Sequence, residues 1–206
     1  MACFDGDGDR LIYFKRFEKY PMIITGDKIW CLIMMYIMEK IELLQSIDSI
    51  THCLYLTASA NSQAFRWLGQ NDVVFKKAPA GIRNARELVR EYVVGAYAET
   101  NGHGIIYVDW ERFNAALEGK EENINAKKLK ALLKITNVHA YGDAIPTLLM
   151  LEAIMRDRDF NVTMLYNIYK DYPSLDINVK VDHKDKWITK WDQTELTDPS
   201  RFQDMI

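Results

Sequence analysis

The sequence of 206 residues has little cysteine, proline or glycine, and each shortage excludes a class of protein. Its three cysteines, Cys3, Cys31 and Cys53, show no C-x-x-C spacing, which excludes a closed disulfide framework and a cysteine zinc site. Unpaired cysteines of this kind predict a reduced, cytoplasmic compartment. Five prolines and ten glycines are too few for a collagen-like or low-complexity chain.

The sequence also lacks an excess of positive charge and a long hydrophobic run. Lysine and arginine total 26 against 29 acidic residues, so no basic face is predicted for a nucleic-acid partner. The most apolar run, residues 29–38, is ten residues long, whereas a membrane span needs about 20. Its length predicts a buried helix. The first residues contain no basic segment, so no signal peptide and no membrane partner are predicted.

The hydrophobic pattern alternates between strand-like and helix-like segments. Strands are predicted at 11–14, 21–24, 52–57, 73–75, 93–98, 105–108 and 175–181. Helices are predicted from Gly26-Asp27 to Leu44, with Asp27 as N-cap, and at 63–68, 83–89, 125–135, 144–155 and 162–169. This alternation predicts an α/β fold with a mixed, mostly parallel sheet and flanking helices.

The strongest chemical signal is an acidic loop in which Asp5, Asp7 and Asp9 alternate with two glycines and precede Arg10. Three carboxylates converging on one point would suit Mg²⁺, which prefers oxygen ligands. A solvated acidic turn is the alternative. An EF-hand calcium loop is excluded because Arg10 stands at its sixth position, where glycine is needed, and Arg16 stands where it needs glutamate.

Three segments of the sequence resemble the α-D-phosphohexomutase family in the family's order and spacing. Residues 4–10 (FDGDGDR) resemble its metal-binding loop, and 26–28 (GDK) fit the start of the helix that follows. Residues 99–104 (ETNGHG) resemble its sugar-binding loop in the form used by the eukaryotic phosphoacetylglucosamine mutases. Further similarity to that branch lies at 142–145, 165–166 and 171–173.

The resemblance implies a Mg²⁺-dependent isomerase that interconverts N-acetylglucosamine 6-phosphate and 1-phosphate through a phosphoserine, in UDP-N-acetylglucosamine biosynthesis. Phosphoryl transfer mainly requires positioning and charge neutralisation. By resemblance, the metal ligands are Asp5, Asp7 and Asp9, and the sugar-binding residues are Glu99, Asn101, Gly102 and His103. Arg10, a planar donor, is expected to contact a phosphate oxygen. Residues 78–81 (APAG) depart from the family, which tends to have Lys-Thr before the glycine, and Arg83, with Lys76 and Lys77, is near enough to supply the positive charge for a phosphate contact instead. Without the family, Glu99 and Asn101 would be interpreted as a surface turn of a hairpin.

The sequence departs from the family at the catalytic serine. No segment resembles the family's Thr-Ala-Ser-His-Asn-Pro loop, and Ser59, within residues 57–62, lacks the histidine and proline. The phosphate-clamping Arg-Pro-Ser-Gly-Thr-Glu loop is not found either. We therefore interpret Ser59 as part of a structural turn and expect the isolated chain to be inactive.

These departures predict a piece of a mutase with three parts. Residues 1–25 would end the second domain and carry the metal loop, 26–160 would form the third domain, and 161–206 would begin an incomplete fourth. The four residues before Asp5 are expected to be too few for the strand that presents the loop, which would weaken metal binding.

Two functions from different classes follow from the sequence. The first is the catalytic one, in which this chain works with the remaining mutase domains. The second is a non-catalytic sugar-phosphate-binding or interaction module derived from a phosphohexomutase. An unrelated α/β protein with an acidic turn is a third possibility, and the ordered set of motifs disfavours it.

Overall fold

The computed structural model describes residues 1–17, 20–46, 48–136 and 142–205. The strands are Ala2–Phe4 (β1), Leu11–Phe17 (β2), Tyr20–Ile24 (β3), His52–Thr57 (β4), Phe75–Ala78 (β5), Val94–Ala98 (β6), Gly104–Val108 (β7), Ile188–Thr189 (β8) and Leu196–Asp198 (β9). The α-helices are Gly26–Leu43 (α1), Ser62–Gln70 (α2), Ile82–Val89 (α3), Trp110–Ala116 (α4), Ile124–Lys134 (α5), Ala144–Asp157 (α6), Val162–Tyr166 (α7) and Ser200–Gln203 (α8). A 3₁₀ turn covers Lys184–Lys186.

The central sheet has four strands in the order β5-β4-β6-β7. The pairs β5–β4 and β4–β6 are parallel, and β6–β7 is an antiparallel hairpin. All six residues of β4 are buried, as expected for a strand covered on both faces. The predicted α/β class, with a mostly parallel sheet and flanking helices, is confirmed.

Helix α1 forms the centre of the hydrophobic core, as its apolar run predicts. It packs against β4 and β6 on the sheet and against α2, α5, α6 and α7. Its N-cap is Thr25, so the prediction of Asp27 is wrong. Asp27 lies inside the first turn of the helix, and its fully buried side chain accepts a hydrogen bond from the Asn61 backbone N–H at 3.0 Å. None of the described helices has the length and apolarity needed to cross a membrane.

The first three strands form a separate antiparallel sheet in the order β1-β2-β3. The expectation that no strand could precede Asp5 is wrong. Ala2 pairs with Tyr13 and Phe4 with Leu11, because β2 supplies the partner that makes three residues sufficient. The acidic loop is consequently the connection of a β-hairpin, held at both ends by paired backbone.

Two other predicted strands differ from the structure. The strand expected at 73–75 begins at Phe75, where the parallel register with Leu54 starts. The strand expected at 175–181 is wrong: Leu175, Ile177 and Val179 are 80%, 71% and 73% exposed in extended chain. A strand needs a neighbour for its backbone hydrogen bonds, and none of the described strands pairs with this segment.

The C-terminal residues form a small unit beside the central sheet. Strands β8 and β9 pair as a hairpin, and the Trp187 ring packs on Phe202 with centroids 5.1 Å apart. The Gln193 Oε1 atom accepts a hydrogen bond from the Ala80 backbone N–H at 3.0 Å. This contact attaches the hairpin to the loop between β5 and α3.

Candidate functional site

The acidic loop gathers its three carboxylates into one cluster. Carboxylate oxygens of Asp5, Asp7 and Asp9 all lie within 4.8 Å of one another. The loop closes because Asp5 Oδ1 accepts hydrogen bonds from the backbone N–H groups of Asp9, at 3.1 Å, and Arg10, at 3.2 Å. Gly8 has a φ of +76°, a conformation that favours glycine. Three hard oxygen donors at this spacing are a suitable ligand set for Mg²⁺.

The charges of this cluster are only partly compensated. Burial raises the pKa of Asp9, and the neighbouring carboxylates of Asp5 and Asp7 raise it further, while His103 acts in the opposite direction. The Arg10 Nε atom lies 3.4 Å from Asp5 Oδ2 and 3.6 Å from Asp9 Oδ1. Asp9 Oδ1 is buried and accepts no hydrogen bond from the described residues. A divalent cation would fit these residues, because it would offset the repulsion and satisfy this oxygen.

The carboxylate of Glu99, in the loop that joins β6 to β7, is held by three donors. Its Oε1 accepts hydrogen bonds from the Tyr97 hydroxyl at 2.6 Å and the Gly81 backbone N–H at 2.9 Å. Its Oε2 accepts one from Asn101 Nδ2 at 2.9 Å. Partial burial works against ionisation, but these hydrogen bonds outweigh it and lower the pKa of Glu99. Glu99 is therefore a fixed, ionised acceptor.

The turn after Glu99 is pressed against the start of β2. Gly102 has a φ of +95°, and a Cβ atom there would lie 2.2 Å from the Leu11 carbonyl oxygen. The Gly102 carbonyl accepts a hydrogen bond from the Leu11 N–H at 3.1 Å. Asn101 Oδ1 accepts one from the His103 N–H at 3.0 Å and shapes the turn. Only glycine permits this close approach of the two backbones.

The structure thereby brings together two loops that are about ninety residues apart in sequence. Arg10 and His103 form an isolated antiparallel bridge. The His103 Nε2 atom lies 3.6 Å from Asp9 Oδ2, so a side chain of one loop faces a carboxylate of the other. The Gly26 N–H donates to the Thr100 carbonyl at 3.0 Å and joins the start of α1 to the same junction.

The two arginines predicted to contact phosphate lie in different places. The Arg10 guanidinium faces Asp5 and Asp9 within the acidic cluster. Arg83 is exposed in the first turn of α3, and its connection to the site runs through Gly81, which binds Glu99. Both phosphate contacts stay predictions.

Ser59 lies beside the second loop. Its hydroxyl oxygen is 2.8 Å from Thr57 Oγ1 and 3.4 Å from Thr100 Oγ1. The turn that carries Ser59 follows β4, and Asn61 caps the next helix, α2, through a hydrogen bond from the Gln63 N–H at 3.0 Å. This is the strand-to-helix turn predicted from the sequence.

Sequence reasoning missed several residues of the site. Tyr97 precedes Glu99 by two positions, and alternation along a strand could have placed both side chains on one face. The resemblance at 142–145 does not indicate that the Ala144 N–H donates to the Gly8 carbonyl at 3.1 Å, which sets the start of α6 against the acidic loop. Nor does it indicate that a Cβ at Gly142 would lie 2.5 Å from His103 Nε2.

Comparisons with known proteins identify relatives of this chain. A family profile described as "Phosphoacetylglucosamine mutase AMG1, domain III" matches residues 25–160. Phosphoacetylglucosamine mutases of Arabidopsis thaliana and Homo sapiens are 31% and 29% identical over the whole chain, which covers 40% and 39% of them. The chain thus spans about two fifths of the length of these curated relatives.

Solved structures of such enzymes have the same fold. The Aspergillus fumigatus N-acetylphosphoglucosamine mutase in complex with GlcNAc-6P and magnesium superposes with a TM-score of 0.91 at 24% identity. An N-acetylglucosamine-phosphate mutase in its product complex gives a TM-score of 0.87 at 25% identity. Each alignment covers 99% of this chain and 39% of the other.

Proposed function

Since the chain belongs to the phosphoacetylglucosamine mutase family through its third domain, we propose that it provides the metal-binding and sugar-binding loops of such a mutase. The reaction would interconvert N-acetylglucosamine 6-phosphate and N-acetylglucosamine 1-phosphate, a step of UDP-N-acetylglucosamine biosynthesis. The observation that carries the proposal is the junction of the two loops, with Leu11 N–H bonded to the Gly102 carbonyl at 3.1 Å. This junction puts a carboxylate cluster next to an ionised hydrogen-bond acceptor.

The acidic loop would hold the metal ion. Asp5, Asp7 and Asp9 offer oxygen ligands, and the buried Asp9 Oδ1, which accepts no hydrogen bond from the described residues, supports the assignment. Bound Mg²⁺ supplies positive charge that stabilises a transferring phosphoryl group. Arg10, released from its carboxylate partners by the cation, would donate to a phosphate oxygen, and Arg83 would do so from the start of α3.

The second loop would bind the sugar ring. The ionised Glu99 accepts hydrogen bonds from adjacent hydroxyl groups, and Asn101 beside it adds a polar side chain. Gly102 would keep the backbone close to the ring, and His103, in the same loop, faces Asp9. The two loops together would recognise a phosphorylated sugar by its hydroxyls and its charge.

The catalytic phosphoserine would come from mutase segments that this sequence does not contain. We therefore expect the isolated chain to bind substrate without turning it over. The unpaired cysteines, of which Cys31 and Cys53 are buried, support a cytoplasmic location for the complete enzyme.

Binding of N-acetylglucosamine 6-phosphate tests the proposal. Titration of the ¹⁵N-labelled full chain in Mg²⁺ should shift the backbone resonances of residues 5–10 and 99–103, and Glu99→Ala should abolish the shifts. Glu118→Ala, which removes an exposed carboxylate after α4, is the matched control and should bind normally. Failure of the wild-type chain to bind would overturn the proposal.

The alternative is a non-catalytic sugar-phosphate-binding module. It agrees with the contacts of the Ser59 hydroxyl, which are to the hydroxyls of Thr57 and Thr100 and to no general base among the described residues. Conversion of the 6-phosphate by the isolated chain, abolished by Ser59→Ala, would contradict both the alternative and our interpretation of Ser59.

A further inference from the structure

Tyr97 is a buried residue of β6 whose hydroxyl group contacts the candidate sugar site from behind. Its side chain is 0% exposed and packs with Cys53, Tyr55 and Val89. A phenylalanine would fill the same apolar space, so packing alone does not require the hydroxyl. A buried hydroxyl must find hydrogen-bond partners, and the identity of those partners indicates what this one does.

The Tyr97 hydroxyl connects two segments of the site. It donates to Glu99 Oε1 at 2.6 Å and lies 3.3 Å from the Pro79 carbonyl oxygen. It also accepts from the Gly81 N–H at 3.0 Å, and that same N–H reaches Glu99 Oε1 at 2.9 Å. The three groups form a closed cluster between the loop before α3 and the loop after β6.

Burial and the adjacent Glu99 carboxylate raise the pKa of Tyr97, so the phenol stays protonated and remains a donor. Because Oε1 already receives two hydrogen bonds, the carboxylate plane cannot rotate without breaking them. The other oxygen, Oε2, accepts a hydrogen bond from Asn101 on the exposed side of the loop, where a ligand hydroxyl could also reach it. Preorganised groups of this kind bind ligands more tightly because little freedom is lost on binding.

We propose that Tyr97 is a positioning residue that orients the Glu99 carboxylate for recognition of adjacent sugar hydroxyls. The inference rests on the proposed sugar-binding function of Glu99. Tyr97 lies below the surface and does not touch the ligand itself. It also holds the start of α3, and with it Arg83, at a set distance from the sugar loop through Gly81.

Tyr55 supplies a matched control from the neighbouring strand. It pairs with Tyr97 in the β4–β6 register, is 1% exposed, and donates its hydroxyl to Glu91 Oε2 at 3.0 Å. Tyr55→Phe and Tyr97→Phe thus each remove one buried hydroxyl bonded to a glutamate, from the same sheet and the same core cluster. Of these two tyrosines, Tyr97 is the one that contacts the glutamate of the candidate site.

The experiment measures the dissociation constant of N-acetylglucosamine 6-phosphate for the full chain in Mg²⁺. Tyr97→Phe should weaken binding roughly tenfold, because a Glu99 side chain that is no longer held must be immobilised when the ligand binds, and Tyr55→Phe should bind like wild type. In ¹³C-glutamate-labelled protein, the carboxyl resonance of Glu99 reports its pKa. This pKa should be higher in Tyr97→Phe than in wild type, and it should be unchanged in Tyr55→Phe. A general loss of packing would affect both variants, so a shift of this resonance in Tyr97→Phe alone, together with weaker binding, shows that the hydroxyl acts through Glu99.

Equal binding by the two variants, with an unmoved Glu99 resonance, would overturn the inference while the proposed function stands. Absence of binding by the wild-type chain is a different result, because it removes the proposed function and this inference with it. Weaker binding of Tyr97→Phe with normal binding of Tyr55→Phe supports both.

Discussion

Gly102 lies where the loop after β6 meets Leu11, the first residue of β2, next to the acidic loop. Its φ of +95° is strained for any other residue, and a Cβ would lie 2.2 Å from the Leu11 carbonyl oxygen. Gly102→Ala should therefore lower the free energy of unfolding by roughly 2–4 kcal/mol, from the left-handed conformation and from the clash together. Urea unfolding followed by circular dichroism measures the change.

Gly119→Ala separates these two causes. Gly119 has a φ of +75° but open space around it, so alanine there should cost only the conformational part, about 1–2 kcal/mol. Equal losses in the two variants would show that the backbones at Gly102 tolerate a methyl group, contrary to the geometry.

Substitution of Asp7 tests whether the acidic loop binds a metal ion. Repulsion among Asp5, Asp7 and Asp9 should fall when Mg²⁺ binds, so the ion should raise the melting temperature of the wild-type chain. At tenfold excess over the dissociation constant the gain is about 1.4 kcal/mol, and Asp7→Ala should lose it. Without Mg²⁺, Asp7→Ala should be slightly more stable, because one repulsive charge is gone.

Thermal melts with Mg²⁺ and with a chelator measure both effects. Asp176→Ala, in the exposed chain after α7, is the control and should respond to Mg²⁺ like wild type. An identical response of Asp7→Ala to the ion would show that the loop is not a metal site in this chain. Since β1 is present, the loop has the supporting strand that such a site needs.

At the scale of elements, strand β4 contains a buried titratable group. His52, its first residue, is 5% exposed, and its Nε2 atom has no hydrogen-bond partner among the described residues. Burial lowers the pKa of His52 below 6.5, while a hydrogen bond to Ile50 opposes the shift. The unfolded chain thus binds a proton near pH 6.5 and the folded chain only at lower pH.

The free energy of unfolding should therefore fall as pH drops below about 6.5, by up to about 1.4 kcal/mol per pH unit from this single site. His52→Gln should remove this part of the slope. His183→Gln changes an exposed histidine, is the control, and should keep the wild-type slope. The midpoints of urea unfolding, measured between pH 7.5 and 5.5, test this prediction. Parallel plots of the midpoint against pH for wild type and His52→Gln would contradict it.

The elements also show which parts of the fold are predictable. Helix α1 follows from a ten-residue apolar run, and β4 was predicted with the bounds His52–Thr57 because both are locally encoded. The hydrophobic alternation at 175–181 is also a local sequence pattern, yet this segment forms no strand. Hydrophobic alternation describes what a segment can bury, and a strand also needs a neighbour, which local sequence does not specify.

For the whole molecule, the exposed chain after α7 runs between two attachment points. On one side, the buried Lys28 binds the carbonyls of Tyr166 and Tyr169 and, at 2.9 Å, Asp171 Oδ2. On the other, Gln193 binds the Ala80 N–H at 3.0 Å. Residues 173–180 between them are exposed, so thermolysin should cut there first, next to apolar side chains.

Lys28→Met should extend this cleavage upstream into residues 166–172, because three acceptors lose their donor. Lys127→Met, which removes an exposed ion pair with Glu122, is the control and should keep the wild-type pattern. Mass spectrometry of the first fragments provides the measurement. First cleavage before Asn114, with the tail intact, would contradict the boundary predicted near residue 161.

By itself, the sequence determined the α/β class, the buried helix α1 and the presence of three carboxylates, Asp5, Asp7 and Asp9, close together in one loop. Each depends on periodicity or on neighbours a few residues apart, and such interactions are set along the chain. The tertiary structure alone decided that β1 pairs with β2, that Arg10 meets His103, and that Tyr97 and Gly81 hold Glu99. Backbone pairing and buried hydrogen bonds join distant residues, so they exist only once packing has brought those residues within about 3 Å.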